Sequence, residues 1–202
     1  MKTSALINGT CKIVREDYDE QTVVRITAKA ERRFTELLGE NAGESRALQA
    51  HTVKRIYPGI AVYEAMRSEN IPEEKAVWYL REYFQRFCAK AVPVMKGVIA
   101  LPGVHQKFPE LFVKIAQKSF SEEAGFVYEW PELEEDTYGF DIVKCPYYDT
   151  CKRYGCPEIV TAFCDSDDAS YGDLHKNLIW KRTGTIGHGC DCCNFRIQLK
   201  KE

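Results

Sequence analysis

The stretch FCDSDDASYGDLH, residues 163–175, places a thiol, four carboxylates and an imidazole within thirteen positions. Cys164 is a soft nucleophile, His175 an acid–base group that titrates near neutrality, and Asp165 a carboxylate able to orient a proton or a water. Asp167 is a candidate for substrate contact, although Asp167 and Asp168 read equally well as a solvated turn after a helix. A second concentration closes the chain. GHGCDCCNFRI, residues 187–197, sets three cysteines in four positions behind His188. If 192–199 is a strand, Cys193, Phe195, Ile197 and Leu199 share one face, so Cys193 turns toward the core and becomes a second candidate nucleophile. Arg182 and Arg196 fall on strand candidates, where a guanidinium fork suits a substrate carboxylate, or simply faces solvent.

The sulfur content raises the question of a metal. Seven of the nine cysteines lie between positions 145 and 193. Their spacings contain no clean CxxC pair, the commonest zinc signature, and lack the runs that hold iron–sulfur clusters. A mixed site from Cys145, Cys164, Cys193 and His188 stays open, with zinc as its ion. The alternative is that these thiols pack as small apolar side chains. An odd cysteine number and no recognisable export signal argue for reduced thiols rather than a disulfide framework.

The elements that must position these residues change character along the chain. TVVRITAKAERRFTELLGE repeats apolar residues at helical spacing, with Val24, Ala28, Ala30, Phe34, Leu37 and Leu38 on the expected inner face and Gly39 as a stop. A second helical region, 44–70, is interrupted or restarted at Pro58-Gly59. A third begins after Pro72 and places Ala76, Leu80, Phe84, Phe87 and Ala91 on one face, with Cys88 packed inside. A fourth is expected from Pro109, with Phe112, Ile115 and Ser119 on one side. The period then switches to two: Phe126, Tyr128 and Trp130 alternate, as do Phe140 and Ile142, around the acidic loop PELEEDT. Short helices are expected at 147–154 and 157–165, then a strand in NLIWKRTGTI, a turn at GHG, and a strand in CNFRIQL. The pattern predicts an α+β fold: N-terminal helices packed on a C-terminal antiparallel sheet of about four strands, with short inserted helices. It is expected to form a single domain over 1–202, mainly helical to 122 and cysteine-rich α+β from 123.

Composition narrows the function classes. A hydrophobic fraction of 45%, a charged fraction of 29% and a net charge of −2 describe an ordinary globular chain and argue against a nucleic-acid scaffold. No apolar run approaches the roughly 18 residues of a membrane span, and no signal-peptide core follows Met1. The expectation is a cytoplasmic protein with a small-molecule partner and neither nucleic acid nor membrane. Homo-oligomerisation is left open.

CPYYDTCKRYGCPEIVTAFCDSDD followed by WKRTGTIGHGCDCCNFRI resembles the L-2-amino-thiazoline-4-carboxylic acid hydrolase family. The matching positions are Cys145-Pro146, then Cys164, Asp165 and Asp167, then Arg182 to Thr185, Gly189, Cys193, Phe195 and Arg196. Asn194 stands where the family's aspartate is expected, and Cys151, Cys156, Cys190 and Cys192 are additions of this sequence. The resemblance implies ring-opening hydrolysis of a thiazoline-type small molecule to an N-carbamoyl-cysteine-type product. Cys164 or Cys193 would attack, with Asp165 or His175 as base and Arg182 or Arg196 on the substrate carboxylate, or a cysteine-held metal would activate water. The alternative is a non-enzymatic metal- or small-molecule-binding sensor domain, from a fainter likeness to vinyl-reductase-type domains.

Overall fold

A computed structural model of the chain, describing residues 4–200, consists of two compact units. Among the described residues, the first comprises 4–84 with 147–163, the second 85–146 with 164–200.

The first unit is helical. Helix α1 (Ala5–Val14) starts at Ser4 and helix α2 (Glu20–Glu40) at Asp19, whose carboxylate accepts from the Thr22 amide at 3.0 Å. Helix α2 packs on α4 (Tyr57–Ser68). Between α3 (Arg46–His51) and α4 the backbone forms a π-helical turn, Thr52–Ile56. Pro58 sits in the first turn of α4, where its missing N–H costs nothing. The interruption expected at Pro58-Gly59 is thus met one turn earlier, by widening rather than breaking the helix. Gly59 lets Phe163 approach: a Cβ there would lie 2.9 Å from its Cζ. The first half of helix α5 (Glu73–Ile99) and helix α7 (Pro146–Arg153, apart from Pro146) complete the unit.

The second unit holds the sheet. Strands β1 (Val127–Glu129), β2 (Thr137–Lys144), β3 (Leu178–Lys181) and β4 (Cys193–Leu199) pair antiparallel in the order β1-β2-β4-β3. The α+β expectation holds, as does the inward parity of Cys193, Phe195 and Ile197, all buried. Phe140 faces Phe195 across the ladder and Ile142 faces Cys193. Helix α6 (Val104–Ser119) covers this face, with Phe112 stacked on Phe140 at 5.9 Å and edge-on to Trp180. Gly139 is required by the strand beside it: a Cβ there would lie 1.9 Å from the Phe195 carbonyl oxygen and 2.9 Å from Arg196 Cδ. In that space Arg196 folds back over the ladder.

Several sequence expectations change. Val24, Phe87 and Ile115 point outward, because the buried stripes of their helices are set by Val23, Ile26 and Ala30, by Leu80, Phe84 and Cys88, and by Phe112 and Ala116. Helix α6 begins at Val104 after Gly103, which supplies the left-handed turn, so Pro109 lies inside it rather than at its start. Trp130 is exposed beyond the end of β1. The helix expected at 157–165 is a 3-10 turn, Pro157–Ile159, leading into α8 (Val160–Tyr171). The acidic run is therefore helical, because its side chains find partners.

Candidate active site

Helix α8 sets out the site at helical spacing, with Cys164, Asp165, Asp167 and Asp168 on two successive turns. The segment from the end of β3 to the start of β4, residues 182–192, meets it within the second unit. Arg182, just beyond β3, is almost wholly buried (3% exposed). Its Nη2 donates to the Cys164 carbonyl at 2.8 Å and to Asp168, and its Nη1 to Asp167 at 3.0 Å. Trp180 Nε1 donates to the other Asp168 oxygen at 2.8 Å. The guanidinium also lies over the Phe195 ring, 5.6 Å from its centroid. Arg182 thus clamps helix α8 to the sheet.

Arg196 is engaged in the same way, with Nη1 donating to the carbonyls of Phe140 (2.8 Å) and Phe195 (2.9 Å) and Nη2 to Asp141 (2.7 Å). Charge-assisted bonds of this kind hold a side chain in one geometry.

Thr185 and His188 form the centre. Thr185 opens the 3-10 turn Ile186–His188, its hydroxyl oxygen accepting from the His188 amide at 3.2 Å, and Gly189 leaves the turn in the left-handed conformation. The same hydroxyl lies 2.7 Å from His188 Nδ1, while His188 Nε2 lies 3.2 Å from Asp165 Oδ1. A carboxylate at Nε2 favours the proton on that nitrogen, so Nδ1 accepts from Thr185. Thr185 is buried, and His188 is half-exposed.

Both inward thiols rest on this turn. Burial pushes the Cys164 thiol up to about 11, against the neighbouring Thr185 hydroxyl, Gly187 amide and Arg182, which pull it down. Burial likewise pushes Cys193 up to about 12, with the Ile186 amide 3.2 Å from its sulfur as the chief opposing influence. Cys164 and Cys145 sit close enough to add to the upward shift of Cys193.

An upward shift of an acid means that the fold favours the neutral thiol. This contribution to stability is complete below the ordinary thiol pKa of about 8.5 and is lost as pH rises through the folded values. Thermal unfolding should therefore show Tm falling as pH climbs from about 8.5 toward about 11, and Cys193→Ala should make that fall shallower.

Asn194, the departure within the motif, has a defined place. Its Oδ1 accepts from the amides of Thr183 and Gly184, each at 2.9 Å, and its Nδ2 donates to the Thr183 hydroxyl at 2.6 Å. Two backbone donors fix the orientation of the amide. The oxygen an aspartate would offer those amides is present.

Of the expected residues, Cys164, Asp165, Asp167, Arg182, His188 and Cys193 converge in the second unit. His175 has other neighbours. It stacks on His105 at a centroid distance of 4.4 Å, and its Nδ1 accepts from the Asn177 amide. Burial and the neighbouring His105 and Lys176 lower its pKa. Among the described residues, no group of three or more His, Cys, Asp or Glu side chains is arranged to hold a metal ion. The hydroxyl of Thr185 was missed by sequence reasoning, and so was the acid–base geometry of His188. The available signal was the Thr-x-x-His spacing, a capping threonine whose third following residue returns to it.

The model of the L-2-amino-thiazoline-4-carboxylic acid hydrolase family matches residues 49–197, 149 of the 202. No curated protein and no solved structure matches the chain. No described helix is long and apolar enough to cross a membrane.

Proposed function

The chain belongs to that family, and on this premise we propose that it opens a 2-amino-thiazoline ring hydrolytically, with Cys164 as nucleophile and Thr185, His188 and Asp165 as its proton path. The observation that carries the reading is the line from Thr185 through His188 to Asp165, at 2.7 and 3.2 Å, set beside the Cys164 thiol.

A thiol pushed up to about 11 is protonated at neutral pH and attacks only if its proton leaves during attack. Thr185 Oγ takes the proton from sulfur and passes its own to His188 Nδ1. The imidazolium so formed is held at Nε2–H by Asp165. Sulfur bonds to C2 of the substrate amidinium, giving a tetrahedral carbon that carries two sulfurs. The C2–S bond of the ring then breaks, and the departing thiolate takes the proton back from His188. That thiol has an ordinary pKa of about 8.5, well below Cys164, and the less basic sulfur is the faster to leave. The intermediate therefore partitions forward, toward the open chain linked to Cys164 through C2. Water adds to C2, giving a proton to His188 by the same path, and Cys164 departs and recovers it. One water is consumed. The product is an N-carbamoyl cysteine, and the proton carried in by the amidine is released.

In this reading Arg182, Arg196 and Asp167 position the catalytic helix and strand rather than the substrate, since their charged atoms are spent on one another and on the backbone. Cys193 supports the turn as a neutral thiol. No step is routed through a metal.

Asn194 is assigned to holding the Thr183–Gly184 backbone so that Thr185 meets both sulfur and imidazole. Asn194→Asp keeps the accepting oxygen and should retain activity within about threefold. Asn194→Leu leaves two amides without their acceptor and should cost about 1–3 kcal/mol of stability, together with at least a tenfold loss in kcat, about 1.4 kcal/mol in the barrier. Circular dichroism melts and steady-state rates for the two variants check this. The activity itself is tested by incubating the purified chain with 2-amino-thiazoline-4-carboxylate and titrating released thiol. Enzyme-dependent thiol and a carbamoyl product support the reading, and unchanged substrate contradicts it.

A further inference from the structure

We propose that the second half of α5, together with the outward side of α6 that follows it, is a docking surface for an anionic lipid bilayer. The observation is an apolar face on the second half of α5 that no described residue covers. Phe87, Val94, Val98 and Leu101 recur at helical spacing and are 57%, 69%, 53% and 55% exposed. Pro93 and Ala100 are also exposed, and so are Leu111 and Ile115 on α6. A run of large apolar side chains open to water marks an interaction site rather than an ordinary surface.

Charge selects the partner. Residues 85–119 carry Arg86, Lys90, Lys96, Lys107, Lys114 and Lys118 against Glu110 alone, a net +5 in a chain whose total is −2. The remainder of the chain is therefore −7. The outward positions from Arg86 on α5 to Leu101 in the turn after it include no acidic residue. Lys96 is paired with Asp173 and Lys114 with Glu110, while Lys90 is exposed on the same side as the apolar stripe. Apolar side chains interspersed with cations suit the headgroup–acyl boundary of an anionic membrane. The turn at Leu101-Pro102-Gly103 presents an exposed leucine and proline between the two helices. A second copy would bring this basic face against its own like charges. The missing apolar span, which led to the expectation of no membrane partner, bears on crossing a bilayer and leaves adsorption to its surface open.

The test is flotation of the full chain with vesicles of phosphatidylcholine alone or mixed with phosphatidylserine, at low and high salt. The structure predicts at least about tenfold more protein on the anionic vesicles at low salt, with the difference collapsing at high salt. The doubly substituted Val94→Glu, Val98→Glu chain should remain folded by circular dichroism and lose the binding. Equal or absent flotation on both vesicle types overturns the proposal. It is overturned equally if the unmodified chain is a dimer by light scattering and the double substitution makes it monomeric, because the face then meets a second copy. Neither readout uses catalytic turnover, so the result stands apart from the hydrolase reading.

Discussion

Replacing Cys164 by alanine should lower kcat/KM for thiazoline opening by at least about a thousandfold, roughly 4 kcal/mol of transition-state stabilisation. The side chain is small, half-buried on a helix clamped by Arg182 through the Cys164 backbone carbonyl, and is not the residue that holds the clamp. The fold should therefore survive the change, and a circular dichroism melt separates lost chemistry from lost structure. Cys164→Ser should be nearly as inactive, because an alkoxide is harder to form than a thiolate in the same buried setting. Cys193→Ala should retain most of the rate and lose stability instead, since that sulfur fills a core position against the Ile186 amide. The opposite ranking of the two cysteines would transfer the nucleophile to Cys193.

The second large effect belongs to Thr185. Valine has nearly its shape without the hydroxyl, so Thr185→Val cuts the path between sulfur and imidazole while filling the same buried space. It should lower kcat by about 10²–10³-fold, with serine in place of threonine restoring the rate to within a fewfold. His188→Asn should act at the same level, and Thr185→Val combined with His188→Asn should be little worse than either alone, because residues acting as a unit are not additive. A purely structural threonine would behave otherwise. Iodoacetamide labelling of Cys164 at neutral pH supplies the second readout: it should slow in Thr185→Val, where the thiol has lost its route for the proton, and stay unchanged if the hydroxyl serves only as a cap.

Much of the fold follows from periodicity. Alternation at Phe140, Ile142, Cys193, Phe195 and Ile197 identifies the inner face of the sheet, because a strand with one covered side has no other way to order these residues. Helical faces were less legible. Val24, Phe87 and Ile115 are apolar and in phase with buried neighbours, yet they face outward, since a wide apolar stripe does not say which edge meets the core. The outward turn of Phe87 is what exposes the basic apolar face of α5. Within the site, Cys164 and Asp165 were visible from composition. The run of aspartates looked like a turn because its partners, Arg182 and Trp180, are more than ten residues away in sequence. His175, near in sequence, was expected alongside Asp165 as a candidate base, and the chain stacks it on His105. His188 was read as a metal ligand. Its real neighbours, Thr185 and Asp165, become evident only once the 3-10 turn is folded against α8.

The central claim is a covalent bond between Cys164 and C2 of the thiazoline. The direct measurement mixes enzyme with substrate, quenches in acid within the first turnover, and maps the peptides by mass spectrometry. The account predicts the opened substrate attached to the peptide bearing Cys164, appearing before product and accumulating in slow-turnover conditions. Product forming at full rate with no adduct on any cysteine, or an adduct carried by Cys193, would contradict it.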